Sequence, residues 1–363
     1  MKLRIFALIT VLALLFCTLV ACLPTSNTPN GNGTDTQETT DSTTGNNDET
    51  TGDQTNDTPV LPTSIKVFTL NGTTGFGMAK MIADHKTKTD SIYQFTVKAD
   101  ATEVTAALIN GDVDIAALPT NAAANVYTKT NGGVKILAVN TLGCLYLLVK
   151  DGVEVSSMED LRGKTVYAPA QNPTFIFTDL CKKNNLIPGT DITINSTSYA
   201  QPANLREAVA SGAVEIAVLP EPMVTMAISA ASKNGVTVKN VMDLTAEWDK
   251  VNPAGSLVQG CVVVRTAFLE QYPDAVEMFL DEYEASINYL KTDVAAGAAL
   301  IVEAGIFANA QVAQNAIPKC NICFVTGDTM KSAMKVYLQA LYDINPMSVG
   351  GALPADDFYY SAK

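Results

Sequence analysis

The sequence predicts an α/β protein of two similar lobes, each a mainly parallel sheet flanked by helices, joined by a two-strand hinge. Three observations carry this reading. A sixteen-residue pattern occurs twice, as VTAALINGDVDIAALP (104–119) and LREAVASGAVEIAVLP (205–220). A strand leading into a polar loop and a helix precedes each copy. Two further strand-rich segments give the chain a way across from one lobe to the other and back.

Taken in order, the chain opens with Lys2 and Arg4 ahead of the apolar run Ile5 to Val20. That run is short for a membrane-spanning helix and has the layout of a secretion signal, residues 1–21. It ends Leu19-Val20-Ala21-Cys22, which resembles the bacterial lipobox, where a small residue permits cleavage before a cysteine whose thiol is acylated. Cys22 is therefore the expected lipidation site, tethering the protein to a membrane. Residues 22–62 are dominated by Thr, Asn, Gly, Ser and acids, with no Lys or Arg. Such a segment buries too little apolar surface to offset chain entropy and is expected to be a disordered leash of roughly 30 to 35 Å.

Each copy of the repeat reads as helix, glycine stop, short buried strand, proline, with Gly111 and Gly212 as the stops. Upstream, Ile65 to Leu70 and Lys164 to Ala168 are strands that feed the loops Asn71 to Phe76 and Gln171 to Phe175. Second strands near Gln94 to Lys98 and Ile192 to Asn195 complete a strand-helix-strand-helix-strand unit in each half, with parallel pairing and right-handed crossovers. Val134 to Lys150 supplies the outward crossing and Leu257 to Arg265 the return. Helical patterns at Pro273 to Lys291, Asp293 to Ala304 and Thr329 to Tyr342 are expected to pack on the first lobe. The expected organisation is thus 63–143 plus 260–363 as lobe 1 and 144–259 as lobe 2.

Composition narrows the function. With 24 basic against 37 acidic residues the net charge is −13, which disfavours nucleic acid as a partner. His85 is the only histidine, so histidine-based metal sites and nucleophilic triads have little to draw on, and no metal or cofactor is expected. Its polar neighbours Lys86 and Lys88 make His85 a solvated surface residue in this reading. Cys144, Cys181, Cys261, Cys320 and Cys323 are scattered, not arranged as a disulfide framework. Cys320 and Cys323 have thiol-redox spacing, but strand-like Phe324-Val325 follows where redox chemistry wants a helix. Structural thiols, a local disulfide and redox or metal binding stand as readings in that order. Trp248, the lone tryptophan, either borders the cleft or packs inside.

At this point SMEDLRGKTV (157–166) with the loop and helix from Gln171, the GAVEIA segment running to Pro220-Glu221-Pro222, and VVVRTAFLEQYPDA (262–275) bear together on the question. In order and spacing the chain resembles the type II periplasmic-binding-protein-like solute receptors of ABC importers, in the branch of nitrate, taurine, alkanesulfonate and thiamine-pyrimidine-precursor binders. The likeness runs from about Ser64 to the C-terminus. It implies the two-lobed type II fold, a small-molecule ligand, an ABC permease and its ATPase as partners, and a place on the outer face of the cytoplasmic membrane. A monomer is the default. The chain departs from the family at Pro220-Glu221-Pro222-Met223, where an aromatic Trp-x-Pro-Tyr type of segment is frequent, so ligand identity stays open. A sensor lipoprotein binding the same ligand for a signalling receptor is an alternative. An enzyme on this fold would need clustered acids, bases or nucleophiles, which the loops lack.

In open α/β sheets ligands bind beyond the carboxyl ends of strands, beside helix N-termini. The expected ligand-binding residues are therefore Asn71, Gly72, Thr73, Thr74, Gly75 and Phe76; Thr120 and Asn121; Asn140 and Thr141 at the first crossing; Gln171, Asn172, Thr174 and Phe175; Gln201; and Glu221. Several carry a second reading. Thr120 and Asn121 are good caps for a helix over 122–128, Phe175 stacks on a flat ligand or packs inside, and Asn71 to Gly75 forms a bare turn if nothing binds there. The loops contain no Lys or Arg, and Glu221 is their only acid. It either complements a helix dipole or accepts hydrogen bonds from an amine or amidine-like heterocycle, which favours a neutral or amine-bearing organic ligand over an inorganic anion.

Overall fold

The computed structural model describes residues 60–361. The expected secretion signal, the expected lipidation site Cys22 and nearly all of the expected leash lie outside the described residues.

The first half of the chain runs β1 (Ile65–Leu70), α1 (Thr73–Phe76), α2 (Ala79–Thr87), β2 (Tyr93–Lys98), α3 (Ala101–Asn110), β3 (Ile115–Pro119), α4 (Thr120–Lys129) and β4 (Val134–Thr141). After three residues the chain enters β5 (Leu145–Lys150), then β6 (Thr165–Tyr167), α5 (Asn172–Lys183), β7 (Thr193–Asn195), α6 (Pro202–Ala210), β8 (Ile216–Pro220), α7 (Met223–Lys233), β9 (Val238–Asp243) and α8 (Leu244–Val251). It returns through β10 (Gly260–Arg265) to α9 (Thr266–Gln271), α10 (Pro273–Thr292), α11 (Val294–Glu303), α12 (Ala310–Ala316), β11 (Ile322–Val325) and α13 (Gly327–Ile344).

Two sheets result, one in the order β11-β4-β10-β3-β1-β2 and the other β7-β6-β8-β5-β9. Both are mixed. Pairing is parallel inside each repeat, β2-β1-β3 and β7-β6-β8, and antiparallel where β10, β4, β11, β5 and β9 join. The reason is topological: a helical crossover returns the chain in the same direction, whereas a strand arriving from the other lobe enters reversed.

The repeat's punctuation works as its residue types require. Asp100 caps α3 by accepting from the Thr102 amide at 2.7 Å, and Gly111 ends the helix at φ 80°, a left-handed conformation cheap only for glycine. Gly75 meets a different demand: a Cβ there would lie 1.9 Å from the Leu70 carbonyl oxygen, so only glycine lets α1 start so close to the tip of β1. On the first sheet α10 lays down Ala275, Val276, Phe279, Leu280, Tyr283, Ile287 and Leu290, all buried, at helical spacing.

Two expectations fail for lack of long-range information. The helix expected over 329–342, now α13, does not keep to the first sheet. Met330, Met334, Tyr337, Leu338 and Leu341 join a cluster with Ile176, Phe177, Leu180 and Trp248 of the second half, so the helix spans both lobes. His85 is not solvated. It is 9% exposed, with Nδ1 3.0 Å from Ser91 Oγ, Nε2 on the Glu282 carboxylate and its ring edge-on to Tyr93. The glutamate comes from α10, almost two hundred residues on, and no local pattern announces it. Trp248 packs: it is fully buried and its Nε1 donates to Ser256 Oγ at 2.8 Å.

Candidate functional site

The tips of β1, β3, β6 and β8 turn toward one another where the two sheets meet, and direct polar contacts tie them. Thr73 Oγ1, at the start of α1, donates to the main-chain carbonyl of Glu221 at 2.9 Å. Asn172 Nδ2, at the start of α5, donates to Asn121 Oδ1 at 2.7 Å, and Asn121 Nδ2 in turn donates to the Ser348 carbonyl at 3.2 Å. Asn172 Oδ1 is buried without a hydrogen-bond partner in the protein, the kind of group that a bound molecule or an ordered water satisfies.

Glu221 is buried, and Thr225 of α7 holds both carboxylate oxygens, its amide on Oε2 at 3.1 Å and its hydroxyl on Oε1 at 3.0 Å. Burial pushes the carboxyl above the usual carboxylate range, against the Thr225 bonds and the Lys319 ammonium. Lys319 Nζ stands 3.9 Å from Oε1. The loops, which contain no cation of their own, thus acquire one from the turn after α12. Local sequence gave no signal for it, because residue 319 precedes β11 and lies about a hundred positions or more from the loops of either repeat.

Other residues of the reading take different places. Asn71 and Gly72 line an interlobe groove of about 750 Å³ with Pro202, Pro222, Met223, Met226 and the segment from Gly305 to Asn309. No charged side chain lines it. Thr74 and Asn140 face inward, the Asn140 amide donating to the Thr74 carbonyl at 3.2 Å and to the Tyr283 hydroxyl at 3.0 Å. Thr141 is buried and donates to Asn140 Oδ1 at 3.0 Å. Phe76 is a core residue, 0% exposed, with its ring edge against Phe307. Gly75 is buried behind it.

Thr120 does not cap a helix. It is the first residue of α4, with Pro119 in the cap position, and its hydroxyl donates to the Val258 carbonyl at 2.7 Å because the returning strand lies alongside. Asn121, within the helix, caps nothing either. Thr174 Oγ1 donates to the Pro169 carbonyl at 2.7 Å, closing the turn below α5, and Phe175 is half-buried against the core. Gln201 is exposed at the start of α6. Gln171 is also exposed, at φ 67° and ψ −131°, in the place where the first repeat has Gly72 at φ 82° and ψ −158°. Gln259, absent from the sequence reading, accepts the Cys144 amide at 2.7 Å on Oε1 at the crossing.

Cys320 and Cys323 are free thiols. Burial pushes the Cys323 thiol up to about 12 and that of Cys320 well above its ordinary value, the reverse of what redox reactivity requires.

Two α/β sheets with converging strand tips, two chain crossings and a groove between them make up the fold of the two-lobed periplasmic binding proteins. Solved structures with that fold superpose on this one. An ABC transporter protein from Parabacteroides distasonis has a TM-score of 0.70 at 24% identity, covering 83% of this chain and 100% of that one. The periplasmic aliphatic sulphonate binding protein SsuA from Escherichia coli has a TM-score of 0.66 at 14% identity, covering 84% and 94%. The alkanesulfonate-binding protein SsuA from Xanthomonas axonopodis pv. citri, bound to MOPS, has a TM-score of 0.57 at 14% identity, covering 82% and 96%. No curated protein sequence matches this chain. Residues 77–251 match the family described as the periplasmic substrate-binding protein of phosphonate ABC transporters.

Proposed function

We propose that the chain is a lipoprotein, anchored through Cys22 to the outer face of the cytoplasmic membrane, that captures a small organic molecule between its lobes and delivers it to an ABC permease and ATPase. The observation that carries the binding site is a pair of contacts between loops of the two sheets, Thr73 with Glu221 and Asn121 with Asn172, the first flanked by residues that line a groove without charged lining. Ligand touching both sides favours the closed state by its differential affinity. Met223, Met226, Ile306 and Phe307 give the groove an apolar wall, which suits a ligand with a carbon skeleton better than a bare inorganic anion. The Glu221 carboxylate suits an amine on that ligand, since Lys319 approaches it only to 3.9 Å.

A second reading has one specific observation in its favour. Lys319, about half exposed at the same junction, suits an anionic headgroup, such as the phosphonate or sulphonate in the names of the family and of solved relatives.

A thermal-shift screen over amines, pyrimidines, amino acids, sulphonates, phosphonates and oxyanions, followed by titration calorimetry of the hits, tests both readings. Asn172→Ala should weaken the best hit about tenfold, the value of one hydrogen bond to a buried polar group. Lys319→Met should spare an amine ligand and abolish binding of an anionic one. Unchanged affinity in Asn172→Ala and in Thr73→Val would remove this junction as the site.

A further inference from the structure

One two-residue segment of the first lobe, Lys319-Cys320, makes three contacts at the junction, two of them with the opposing lobe. The Lys319 carbonyl accepts from the Tyr146 hydroxyl of β5 at 2.8 Å. The Lys319 ammonium faces the Glu221 carboxylate across the cleft at 3.9 Å. Cys320 Sγ lies 3.9 Å from Thr73 Oγ1, the same hydroxyl that donates to the Glu221 carbonyl. Two of the acceptors are main-chain groups at element ends. Lys319 closes the single 3-10 turn Ile317–Lys319, and Glu221 precedes the proline that opens α7. Neither carbonyl is bonded within its own element, and a main-chain carbonyl shielded from water needs a partner from elsewhere. Here each finds it in a hydroxyl from the opposite sheet, and both donors are held in place: Tyr146 is 6% exposed and Thr73 is fixed at the start of α1.

We propose that this cluster is a closure lock: the Tyr146–Lys319 and Thr73–Glu221 hydrogen bonds hold the lobes together without any bound solute. The Thr73 hydroxyl and the Glu221 carbonyl satisfy one another, so a molecule that takes either group must replace their bond and not merely add to it. The apparent affinity is then set by the fraction of molecules in which the lock is open. Tyr146 and the Lys319 carbonyl line neither the groove nor the Asn121–Asn172 contact, so they can be altered apart from the candidate binding groups.

The test uses the full chain with no solute added, and its outcome is independent of whether the binding site has been placed correctly. Small-angle scattering would compare the wild type with Tyr146→Phe and Thr73→Val, each of which removes the donor of one lock bond. Circular dichroism and a urea transition would confirm that both variants fold. A larger radius of gyration in each variant is expected. A radius of gyration unchanged in both folded variants overturns the lock, as does a wild type already as expanded as the variants. Should Tyr146→Phe fail to fold, Thr73→Val decides by the same criterion.

Discussion

The hydroxyl of Thr73 donates a 2.9 Å hydrogen bond to the main-chain oxygen of Glu221, joining the loop after the first strand of one repeat to the loop after the last strand of the other. The two residues stand 148 positions apart in sequence. Thr73→Val keeps the shape and removes the donor, leaving a half-buried carbonyl unpaired. The expected loss of unfolding free energy is about 1 kcal/mol, read from urea denaturation. No change would mean that water replaces the hydroxyl without cost.

Gln171 occupies a backbone conformation that glycine enters cheaply and glutamine does not, and the first repeat uses glycine at the matching place. Strain of this kind persists where the side chain is needed. Gln171→Gly should therefore raise stability by about 1 kcal/mol while weakening binding of the best hit from the thermal-shift screen. Increased stability with unchanged affinity would show that the side chain is dispensable for capture.

Burial raises the Glu221 carboxyl above its ordinary 4.5, so folding favours its neutral form. The contribution is whole below 4.5 and shrinks as the pH climbs through the raised value, because a charge must then be carried in a buried place. Glu221→Gln cannot titrate. The melting temperature of the wild type relative to Glu221→Gln should fall as the pH rises above 4.5 and level off once the carboxyl is ionised. A difference that stays flat or grows with pH would show that the Thr225 and Lys319 contacts outweigh burial.

Gly75→Ala would place a methyl carbon 1.9 Å from the Leu70 carbonyl oxygen, a main-chain atom that cannot swing aside. The loop from Asn71 to Phe76 would have to move, with a cost of about 2 kcal/mol or more by chemical denaturation. Because that loop carries Thr73, solute binding should weaken in parallel.

Local chemistry made much of this protein legible in advance. The two copies of the glycine-stopped helix and Val-x-Ile-Ala-x-Leu strand exposed the duplication, and the turn residues after each first strand marked the loops that meet at the junction. Strand and helix periodicity, glycine punctuation and caps act within a few residues, so they are written in the order of the chain. What surrounds a side chain is not. Lys319 beside Glu221, Tyr146 on the Lys319 carbonyl, His85 beneath Glu282, and α13 laid across both lobes each depend on segments brought together only by packing. Phe76, Asn140 and Thr141 sit in loops or strands of the right kind yet turn inward, because α10 and the neighbouring strands supply their partners. The sequence by itself determined two related α/β halves and which loops face each other. Only the tertiary structure decided which side chains in those loops meet, since burial and pairing are properties of the assembled neighbours.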